Sequence, residues 1–396
     1  MNKNKLHILF ISSWYPSRVF PTNGDFVQRH AETMSIDHEI TVIHVVTDAT
    51  ITKKVEIVDK KVNNVRTIIA YVPSKNSIYK LYSFYKAYAS IIKKIGVFDL
   101  VHLNISYPKG LVALYLKKIK KKPYIITEHW TGYQNPLNKS IGFFRKLITK
   151  SIVKNASFVC PVSKNLASEM QQFGLKGTYK IVPNVVNTAI FTPKDKAPKT
   201  FTIVSISNLF DEQKNITGLL NVVKKLSKIR TDFIFKIVGN SDPSEIKKHI
   251  EKLKIAKENI QFIGTKTQNQ IAEILQNSSV YASFSNYETF GLVMAESLAT
   301  GTPVISTDTG ILTEINASEY STIIPIKDEE KLLQTLLKYM DENSEYNAIK
   351  MHTFIDERYS KSIICKKFTE IYYESINHKR TFNMCGITEI INNDSI

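Results

Sequence analysis

The sequence lacks long hydrophobic runs and contains little cysteine. No apolar segment approaches the roughly 18–20 residues that a membrane-spanning helix requires. Cys160, Cys365 and Cys385 are far apart and form no CxxC pair, which indicates a reducing compartment without a disulfide framework or a zinc site. The apolar stretch at 6–12 is short and runs into Trp-Tyr-Pro, which favours a core strand over a signal peptide. We therefore expect a cytoplasmic protein.

Motifs that define several common enzyme classes are also missing. The sequence has no HExxH metalloprotease motif and no GxxxxGK[ST] phosphate loop. No GxGxxG follows the first predicted strand, which argues against a nicotinamide-dependent enzyme. A DNA- or RNA-binding motif and repeated aromatic–basic stacking patterns are absent as well, so we expect no nucleic-acid partner.

Positive charge is concentrated in the first half of the chain. The net charge is +17. Residues 1–197 contain 30 Lys and Arg against 11 Asp and Glu, whereas residues 198–396 contain 23 against 25. This asymmetry indicates that the first half faces an anionic partner, which charge alone leaves open as a phospholipid surface, a lipid-diphosphate acceptor or a nucleic acid. A lysine-rich solvated surface without a partner is the alternative interpretation.

Hydrophobic periodicity predicts a doubly wound domain in the first half. Short apolar, β-rich runs alternate there with amphipathic helical patterns, which is typical of a parallel sheet covered on both faces. The predicted strands are 6–12, 39–46, 65–72, 98–104, 123–128, 157–163 and 179–185, and the predicted helices are 25–35, 78–95, 109–120, 139–154 and 164–173.

A second doubly wound domain follows. The polar, Pro-containing stretch at 193–199 predicts a linker between an N-terminal domain at 1–192 and a C-terminal domain at 200–355. A helix at 356–378 is expected to cross back to the first domain, and 379–396 to form a loose tail. The predicted strands of the second domain are 200–207, 233–239, 260–264, 280–285, 302–307 and 321–326, and its helices are 215–230, 243–255, 267–277, 289–300 and 328–341.

The segment SNYETFGLVMAESLATGTPVISTDTGILTE (285–314) is the most informative. A strand is predicted to end at Ser285 and a helix to begin near Thr289, so that backbone N–H groups of its first turn can bind an anion. Gly291 allows a ligand to approach the backbone closely. Glu288 and Glu296 are separated by about 12 Å along a helix. Carboxylates so spaced suit recognition of hydroxyls at two points of an extended ligand, because each can accept two hydrogen bonds.

This segment resembles the signature of the family 4 retaining glycosyltransferases, which have the GT-B fold. The resemblance rests on Glu288 and Glu296 with seven residues between them, on the internal Phe290-Gly291 pair, and on ATGTPVI (299–305). It extends over nearly the whole chain. It implies an α/β, GT-B-like protein with two doubly wound Rossmann-like domains, whose parallel sheets face a central cleft. The expected reaction moves a sugar from a nucleotide-diphosphate donor to an acceptor.

The resemblance assigns the donor to the second domain. Glu288 would contact hydroxyls of the transferred sugar, as a catalytic residue, and Glu296 would bind the nucleotide ribose. The diphosphate would be held by backbone amides of the segment 289–292, which consists of Thr289, Phe290, Gly291 and Leu292.

A second resemblance lies in VSISNLFDEQKNITGLL (204–220), which is similar to the family's Gly-Arg-Leu segment with its later Lys-Gly pair. Lys214 matches the diphosphate-binding lysine, a catalytic position because a cation there stabilises charge on the leaving group. Asn208 takes the position of the family arginine, so one charge-assisted contact to the donor is missing. Ser207 and Asn215 replace two family glycines.

In the first domain, the resemblance implies an acceptor side that also touches the donor. Gly24, preceded by Asn23, resembles the family's N-terminal glycine loop near the donor phosphate. His129 stands at the end of a predicted strand in ITEHWTGY (126–133), where a family histidine touches the donor sugar. Pro183 and Asn184 resemble an architectural turn.

The chain also lacks Asp-x-Asp, the metal–diphosphate clamp of the other main glycosyltransferase architecture. We therefore expect metal-independent catalysis without a cofactor, in which protein donors replace the cation. The expected partners are a nucleotide-sugar donor and a glycan or lipid-linked acceptor.

Three basic segments, at 80–96, 114–124 and 141–156, combine aromatic and aliphatic residues with Lys and Arg at helical spacing. This pattern predicts reversible, peripheral association with an anionic surface on the inner face of the membrane. Helices that face the core and carry solvated basic outer faces are the alternative.

The sequence thus predicts a hexosyltransferase-type enzyme of polysaccharide or surface-glycan biosynthesis. A nucleotide-sugar epimerase or a glycan phosphorylase on the same fold is the first alternative. A non-enzymatic basic protein that binds membrane or nucleic acid is a more remote one.

Overall fold

The computed structural model describes residues 5–52, 55–74, 77–194, 198–239, 244–342 and 346–391. The chain forms two compact units: one comprises Met1–Val185 and Ser362–Ile396, and the other comprises Val186–Lys361. The change from the first unit to the second therefore precedes the predicted linker at 193–199, of which 195–197 lie outside the described residues. The segment after Val185 is fixed to the second unit, because the Val186 N–H donates to the carbonyl of Tyr359 at 2.9 Å.

The strands of the first unit are β1 (His7–Ser12), β2 (Glu39–Asp48), β3 (Glu56–Val62), β4 (Val65–Pro73), β5 (Leu100–Asn104), β6 (Tyr124–Glu128) and β7 (Phe158–Pro161). Its helices before the second unit are α1 (Asp25–Met34), α2 (Ser77–Ile95), α3 (Gly110–Lys120), α4 (Phe143–Lys154) and α5 (Lys164–Gln172), with 3-10 helices at Thr131–Tyr133 and Leu137–Ser140.

The second unit contains the strands β8 (Phe201–Ser207), β9 (Phe233–Gly239), β10 (Ile260–Gly264), β11 (Val280–Ser283), β12 (Val304–Thr307) and β13 (Ser321–Ile324). Its helices are α6 (Asp211–Lys214), α7 (Ile216–Leu226), α8 (Ser244–Leu253), α9 (Gln268–Gln276), α10 (Leu292–Ala299), α11 (Glu329–Glu342) and α12 (Ala348–Tyr359), with 3-10 helices at Lys257–Asn259 and Ile311–Thr313. Helix α13 (Lys361–Ile391) then returns the chain to the first unit.

The first sheet has the strand order β3-β4-β2-β1-β5-β6-β7. Its strand pairs are parallel except for β3 and β4, which pair antiparallel. The sheet is thus parallel, as predicted, apart from the edge strand β3, which the sequence pattern did not predict. Asn63 and Asn64 connect the two strands with φ of 46° and 67°, the left-handed conformation that two-residue hairpin turns require and that Asn tolerates.

Helices cover both faces of the first sheet. Phe10 of β1, Val27 of α1 and Phe368 of α13 belong to one buried apolar cluster. On the opposite face, a Cβ added to Gly110 would come within 2.5 Å of Ile152 and 3.0 Å of Leu103, so α3 packs closely against α4 and β5. Helices α2 and α4 lie on this second face too, as right-handed crossovers require when the strand order reverses after β4.

The predicted strand at 179–185 is not a regular strand. Tyr179 forms an isolated parallel bridge with Val159, and the Val182 N–H donates to the carbonyl of Pro161 at 3.2 Å. The N–H groups of Lys180 and Val182 donate to carbonyls of β7, but Pro161 has no N–H to donate in return, so the ladder between these segments is incomplete.

The second sheet has the order β10-β9-β8-β11-β12-β13, and its strand pairs are parallel. Its core combines residues of β8, β9 and β11 with the apolar faces of α7 and α11; Phe235, Leu219 and Leu336 are fully buried examples. The sheet and its covering helices form the second doubly wound unit that the sequence predicts.

The end of the chain differs from the prediction. The expected helix at 356–378 is divided between α12 and α13, because Ser360 adopts an extended conformation with ψ of 161°. Helix α13 continues to Ile391, so residues 379–391 of the predicted loose tail are helical; no proline interrupts this stretch. Residues 392–396 lie outside the described residues.

Candidate active site

The loop after β8 in the second unit carries Asn208 and Lys214. The Asn208 side chain is exposed, and its Oδ1 accepts a hydrogen bond from the Phe210 N–H at 3.1 Å. This bond closes a local turn that leads into α6, whose last residue is Lys214. Asn208 thus supports the course of the loop and supplies no positive charge at the position where the resemblance implies an arginine.

Asn215 stands at a position where the resemblance implies a glycine. Its φ of 48° lies in the left-handed region, which Asn tolerates better than most residues. Its Oδ1 also accepts a hydrogen bond from the Gly218 N–H at 3.3 Å, so that Asn215 caps the start of α7. The substitution keeps the backbone path that places Lys214.

The loop after β11 carries Glu288. The Glu288 Oε1 atom forms an ion pair with the Lys214 Nζ atom and accepts a hydrogen bond from the Ser285 hydroxyl at 2.9 Å. Both charged side chains are largely buried, with 8% of the Glu288 side chain and 17% of the Lys214 side chain exposed. The structure therefore brings together two predicted catalytic residues that are 74 positions apart in the sequence.

Hydrogen bonds to backbone carbonyls hold these two loops together. The Asn286 N–H donates to the carbonyl of Gln213 at 2.7 Å, and the Asn286 side-chain amide donates to the carbonyl of Glu212 at 2.8 Å. The Thr307 hydroxyl, at the end of β12, donates to the carbonyl of Ser285 at 2.6 Å. The contact between Lys214 and Glu288 is thus fixed by neighbouring main chain rather than by the two side chains alone.

Helix α10 begins at Leu292, later than the predicted start near Thr289. Gly291 has a φ of 75° and forms the cap, so the chain cannot be helical before it. The segment of Thr289, Phe290 and Gly291 is therefore an irregular approach to the helix. The Phe290 side chain is buried, with its ring 5.5 Å from that of Tyr359, and its predicted role rests on the backbone amide.

Glu296 lies within α10 and is almost fully buried. The predicted separation of about 12 Å from Glu288 assumed a continuous helix; it does not apply, because Glu288 precedes the helix. Tyr281 on β11, which sequence reasoning missed, lies near both carboxylates. Burial raises the pKa of the Tyr281 phenol most, and the negative charges of Glu288 and Glu296 raise this pKa further.

The loop at Gly310 packs directly against the Glu288 loop. Gly310 has a φ of 71°, and a Cβ there would lie 2.9 Å from the carbonyl oxygen of Phe290 and 3.2 Å from Cβ of Glu288. The Ile311 N–H donates to the same carbonyl at 2.7 Å. Glycine is needed here both for the backbone conformation and for the close approach.

Gly24 of the first unit resembles Gly310 in that its backbone conformation and its close contacts both require glycine. It precedes α1 with a φ of 74°, after the loop that follows β1. A Cβ at this position would lie 2.4 Å from the carbonyl carbon of Trp14 and 2.7 Å from the backbone nitrogen of Tyr15. These are main-chain atoms that cannot move away independently, so the loop and the start of α1 fit together only around glycine.

We expect Gly24→Ala to lower the free energy of unfolding of the first unit by about 2–4 kcal/mol, through the positive φ and the overpacking. Trp14 and Trp130 are the two tryptophans of the chain, and both lie in the first unit. Urea unfolding followed by tryptophan fluorescence therefore measures this change. Gly142→Ala is the control, because a Cβ at Gly142 meets nothing within 4 Å. Equal midpoints for the two variants would contradict the assignment.

His129 immediately follows β6, at the carboxyl edge of the first sheet. It is buried, and its ring centroid lies 4.5 Å from that of Phe26 and 5.6 Å from that of His30. Burial lowers the pKa of His129 well below its usual value, nearby His30 and His102 lower it further, and the Asn184 side chain acts in the opposite direction. His129 is therefore neutral at neutral pH. The predicted Pro183-Asn184 turn lies beside this histidine pair.

The buried histidines predict that acid destabilises the first unit. Burial lowers the pKa of His30 from 6.5 to about 4. Between about pH 6.5 and pH 4, His30 therefore binds a proton in the unfolded chain but not in the folded chain. Stability from this group is fully present above pH 6.5, and it falls with decreasing pH by about 1.4 kcal/mol per pH unit until about pH 4.

Urea unfolding at a series of pH values, followed by tryptophan fluorescence, tests this expectation. His30→Phe should make the decline between about pH 6.5 and 4 shallower by the contribution of one histidine. His249→Gln, at a half-buried position in the second unit, should leave the decline unchanged. An identical pH dependence in wild type and His30→Phe would contradict the assignment.

Glu128 is a buried carboxylate that sequence reasoning did not single out. Its Oε1 accepts hydrogen bonds from the backbone N–H groups of His129 and Trp130, each at 3.1 Å. Its Oε2 accepts from the Ser106 N–H at 3.0 Å and from the Ser106 hydroxyl at 2.8 Å. Burial raises the pKa of Glu128, and these bonds act against that shift. Glu128 thus fixes the backbone at His129 to the loop after β5.

The remaining observations concern cysteines, long apolar helices and groups of potential metal ligands. Cys160 and Cys365 are free and buried, whereas the side chain of Cys385 lies outside the described ones. Within the described ranges, no helix is both long and apolar enough to cross a bilayer. The described residues also contain no group of three or more His, Cys, Asp or Glu side chains arranged to hold a metal ion.

Comparison with known proteins identifies the family. Residues 186–354 match the family described as Glycosyl transferases group 1, and residues 26–190 match the family described as Glycosyltransferase Family 4. An uncharacterized glycosyltransferase of Methanocaldococcus jannaschii is 28% identical over 266 residues, which cover 65% of this chain and 70% of that protein.

Solved structures show the same fold. A sucrose-phosphate synthase from Thermosynechococcus elongatus superposes with a TM-score of 0.78 at 18% identity, over 93% of this chain and 99% of that one. The Anabaena protein HepE, solved in complex with UDP-glucose, superposes with a TM-score of 0.74 at 14% identity, over 93% of this chain and 100% of that one.

The fold is therefore the GT-B fold, as the sequence predicts. The first unit corresponds to the region that matches Glycosyltransferase Family 4, and the second unit corresponds to the region that matches Glycosyl transferases group 1. The chain belongs to the group 1, family 4 glycosyltransferases, and it is a glycosyltransferase enzyme.

Proposed function

We propose that this glycosyltransferase is a retaining, metal-independent enzyme. It moves a sugar from a nucleotide-diphosphate donor to a hydroxyl of a glycan or lipid-linked acceptor. The bond between the anomeric carbon and the diphosphate breaks, the diphosphate leaves with the bonding electron pair, a bond to the acceptor oxygen forms, and the acceptor proton passes to the departing diphosphate. We place the reaction in polysaccharide or surface-glycan biosynthesis, in the cytoplasm at the inner face of the membrane.

The observation that carries the proposal is the buried contact between Lys214 and Glu288. A cation and a carboxylate in contact suit a ligand that has a diphosphate next to sugar hydroxyls. Lys214 would bind the diphosphate and stabilise the charge that develops as it departs. Glu288 would accept hydrogen bonds from the sugar hydroxyls. Hydrogen bonds from the backbone and side chain of Asn286 to carbonyls of the Lys214 loop hold the two groups in place before the ligand binds, which lowers the cost of ordering them.

The remaining donor contacts come from α10 and the segment before it. The amides of Thr289, Phe290, Gly291 and Leu292 precede or begin a helix, where N–H groups and the helix dipole favour an anion. Glu296 would bind the ribose hydroxyls. The complex of Anabaena HepE with UDP-glucose supports a nucleotide-sugar donor on this fold. Because Asn208 carries no charge, the diphosphate would depend more on Lys214 and on these amides.

The first unit would contribute His129 and the Gly24 loop. A neutral imidazole can donate one hydrogen bond and accept another, so His129 suits a sugar hydroxyl better than an anion. The tight fit of Gly24 against the Trp14 backbone would set the position of the loop near the donor phosphate. The positive balance of residues 1–197 favours an acceptor that carries negative charge, such as a lipid diphosphate.

Transfer from a panel of nucleotide sugars, with the product followed by NMR, tests the proposal. The expected product keeps the anomeric configuration of the donor, and the rate is unchanged by a chelator. An inverted product or a rate restored only by divalent metal would contradict the proposed mechanism. Incubation with donor alone separates the first alternative, because an epimerase would yield an isomerised nucleotide sugar.

A further inference from the structure

We propose that α2, α3 and α4 together form a docking surface for an anionic lipid bilayer, with Phe143 and Phe144 inserted among the headgroups. The inference deepens the proposed function, and it rests on that function for the choice of an acceptor at the membrane. It concerns the sheet face opposite α1 and α13, and it can be tested without the transfer reaction.

Large apolar side chains protrude from these three helices. Phe143 and Phe144 are the first two residues of α4, and 70% and 79% of their surface is exposed. Their rings contact each other, with centroids 5.8 Å apart. The exposed apolar set, which we call the outer face, consists of Leu81, Tyr82, Tyr115, Ile119, Phe143, Phe144 and Leu147. Single exposed apolar residues are ordinary, but a set on adjacent helices marks an interaction surface.

The charge around the outer face is strongly of one sign. Residues 77–154 contain 15 Lys and Arg and two acidic residues, Asp99 and Glu128. Neither acid faces the outer surface: Asp99 accepts a hydrogen bond from the His7 N–H at 2.8 Å at the sheet, and Glu128 is buried. Among the described residues, no carboxylate forms an ion pair with Lys118, Lys120, Lys150 or Lys154. The surface therefore attracts polyanions.

The second unit shows a different pattern of charge. There, Lys225 pairs with Glu329, Lys248 with Glu245 and Lys338 with Glu342. The field of a lysine with an acidic neighbour is largely cancelled, whereas the fields of the lysines of α3 and α4 reinforce one another. The asymmetry between the units thus reflects a particular surface and not only a lysine-rich composition.

The combination of side chains favours a bilayer over a nucleic acid. Lipid-facing helices present apolar side chains to the acyl boundary while lysine stems extend to anionic headgroups. Single-stranded nucleic-acid sites use side chains that stack on bases. Ile119, Leu81 and Leu147 are aliphatic and cannot stack in this way. Aliphatic and aromatic residues together suit a lipid surface.

The outer face is linked to the candidate active site within the first unit. The Arg145 guanidinium lies 4.2 Å from the Trp130 ring and 4.9 Å from the Tyr107 ring. Trp130 is adjacent to His129, and Tyr107 lies in the loop between β5 and α3. The start of α4 is thereby attached to the sheet edge where His129 lies. Docking through Phe143 and Phe144 would bring that edge near a lipid-linked acceptor.

Flotation of the full chain with vesicles tests the surface. We expect binding to vesicles of phosphatidylcholine with phosphatidylglycerol, and little binding to phosphatidylcholine alone. Phe143→Ser with Phe144→Ser should weaken binding to the anionic vesicles about tenfold or more. Lys118→Gln with Lys120→Gln should also weaken it about tenfold or more, since each basic residue near the surface contributes about fivefold.

Matched controls lie in the second unit. Ile349 is 73% exposed, so Ile349→Ser removes an equally exposed apolar side chain elsewhere. Lys252→Gln with Lys257→Gln removes two exposed lysines. Both controls should bind like wild type. Unchanged vesicle binding by the Phe143/Phe144 variant, or equal binding of wild type to both vesicle types, would overturn the proposal.

Nucleotide-sugar binding by calorimetry, without vesicles, separates this proposal from the proposed function. Donor binding without vesicle binding would overturn the docking surface alone. Vesicle binding without donor binding would overturn the proposed function and leave the surface intact. Stronger binding of wild type to an oligonucleotide than to anionic vesicles would also overturn the choice of a bilayer. Circular dichroism melting of each variant confirms that the fold is kept.

Discussion

Glu288→Gln is expected to lower the rate of sugar transfer by about 10²–10³-fold, the range for removing a preorganised polar contact to the reacting group. The amide keeps the size of the side chain but removes the charge that Lys214 contacts and one acceptor for sugar hydroxyls. The measurement is kcat and KM for transfer at saturating acceptor. A loss mainly in kcat would indicate a contact made in the transition state.

The matched control is Glu329→Gln. Glu329 also forms an ion pair with a lysine of the second unit, Lys225, at 3.0 Å. The variant loses a lysine–carboxylate pair away from the loops that carry the candidate site, so transfer should stay near the wild-type rate. Near-normal transfer by Glu288→Gln, or an equal loss in both variants, would remove the basis for assigning Glu288.

Lys214→Met should lower kcat for transfer by a similar factor of about 10²–10³, because the cation nearest the departing diphosphate is lost. Since Lys214 and Glu288 are in contact, the double variant should lose less activity than the product of the two single losses. The measurement is the four-member cycle of kcat/KM values.

Lys225→Met serves as the control for Lys214→Met. It removes a second lysine from an ion pair in the same unit and should leave kcat unchanged. Strict multiplication of the Lys214 and Glu288 losses would contradict their action as one unit. Full activity of Lys214→Met would contradict its role at the diphosphate.

Much of the fold follows from local pattern. The predicted strands at 233–239 and 260–264 coincide with β9 and β10, because short apolar runs between polar turns define buried parallel strands. The edge strand β3 escaped prediction because its side chains are mostly exposed, which leaves little apolar signal. The Asn63-Asn64 pair was the available sign, since such pairs favour two-residue hairpin turns.

The start of α10 shows a limit of periodicity. The apolar pattern already includes Phe290, so the helix predicted from it begins too early, near Thr289. The structure begins the helix after Gly291 because that residue adopts a positive φ. The segment at 179–185 shows the converse, since its composition is typical of a strand but Pro161 of the neighbouring β7 lacks the N–H that a continuous ladder needs.

The candidate site depended on resemblance for its residues and on the structure for its contacts. Glu288, Glu296 and Lys214 could be named from motif spacing, and their assigned roles stay predictions. The ion pair between Lys214 and Glu288 could not be derived, because it depends on how two loops 74 residues apart are joined through Asn286. Tyr281 and Glu128 were missed because each lies inside an apolar strand pattern and gains its polar neighbours only on folding.

In the proposed function, the second unit binds a sugar-linked pyrophosphate through Lys214, Glu288 and Glu296. Calorimetric titration of wild type and Glu296→Ala with a panel of nucleotide sugars and nucleoside diphosphates tests it most directly. We expect saturable binding by wild type to at least one nucleotide sugar, weakened about tenfold or more in Glu296→Ala by the loss of a charge-assisted contact to the ribose. No binding of any nucleotide by the folded wild-type protein, or equal affinity in both proteins, would contradict the account.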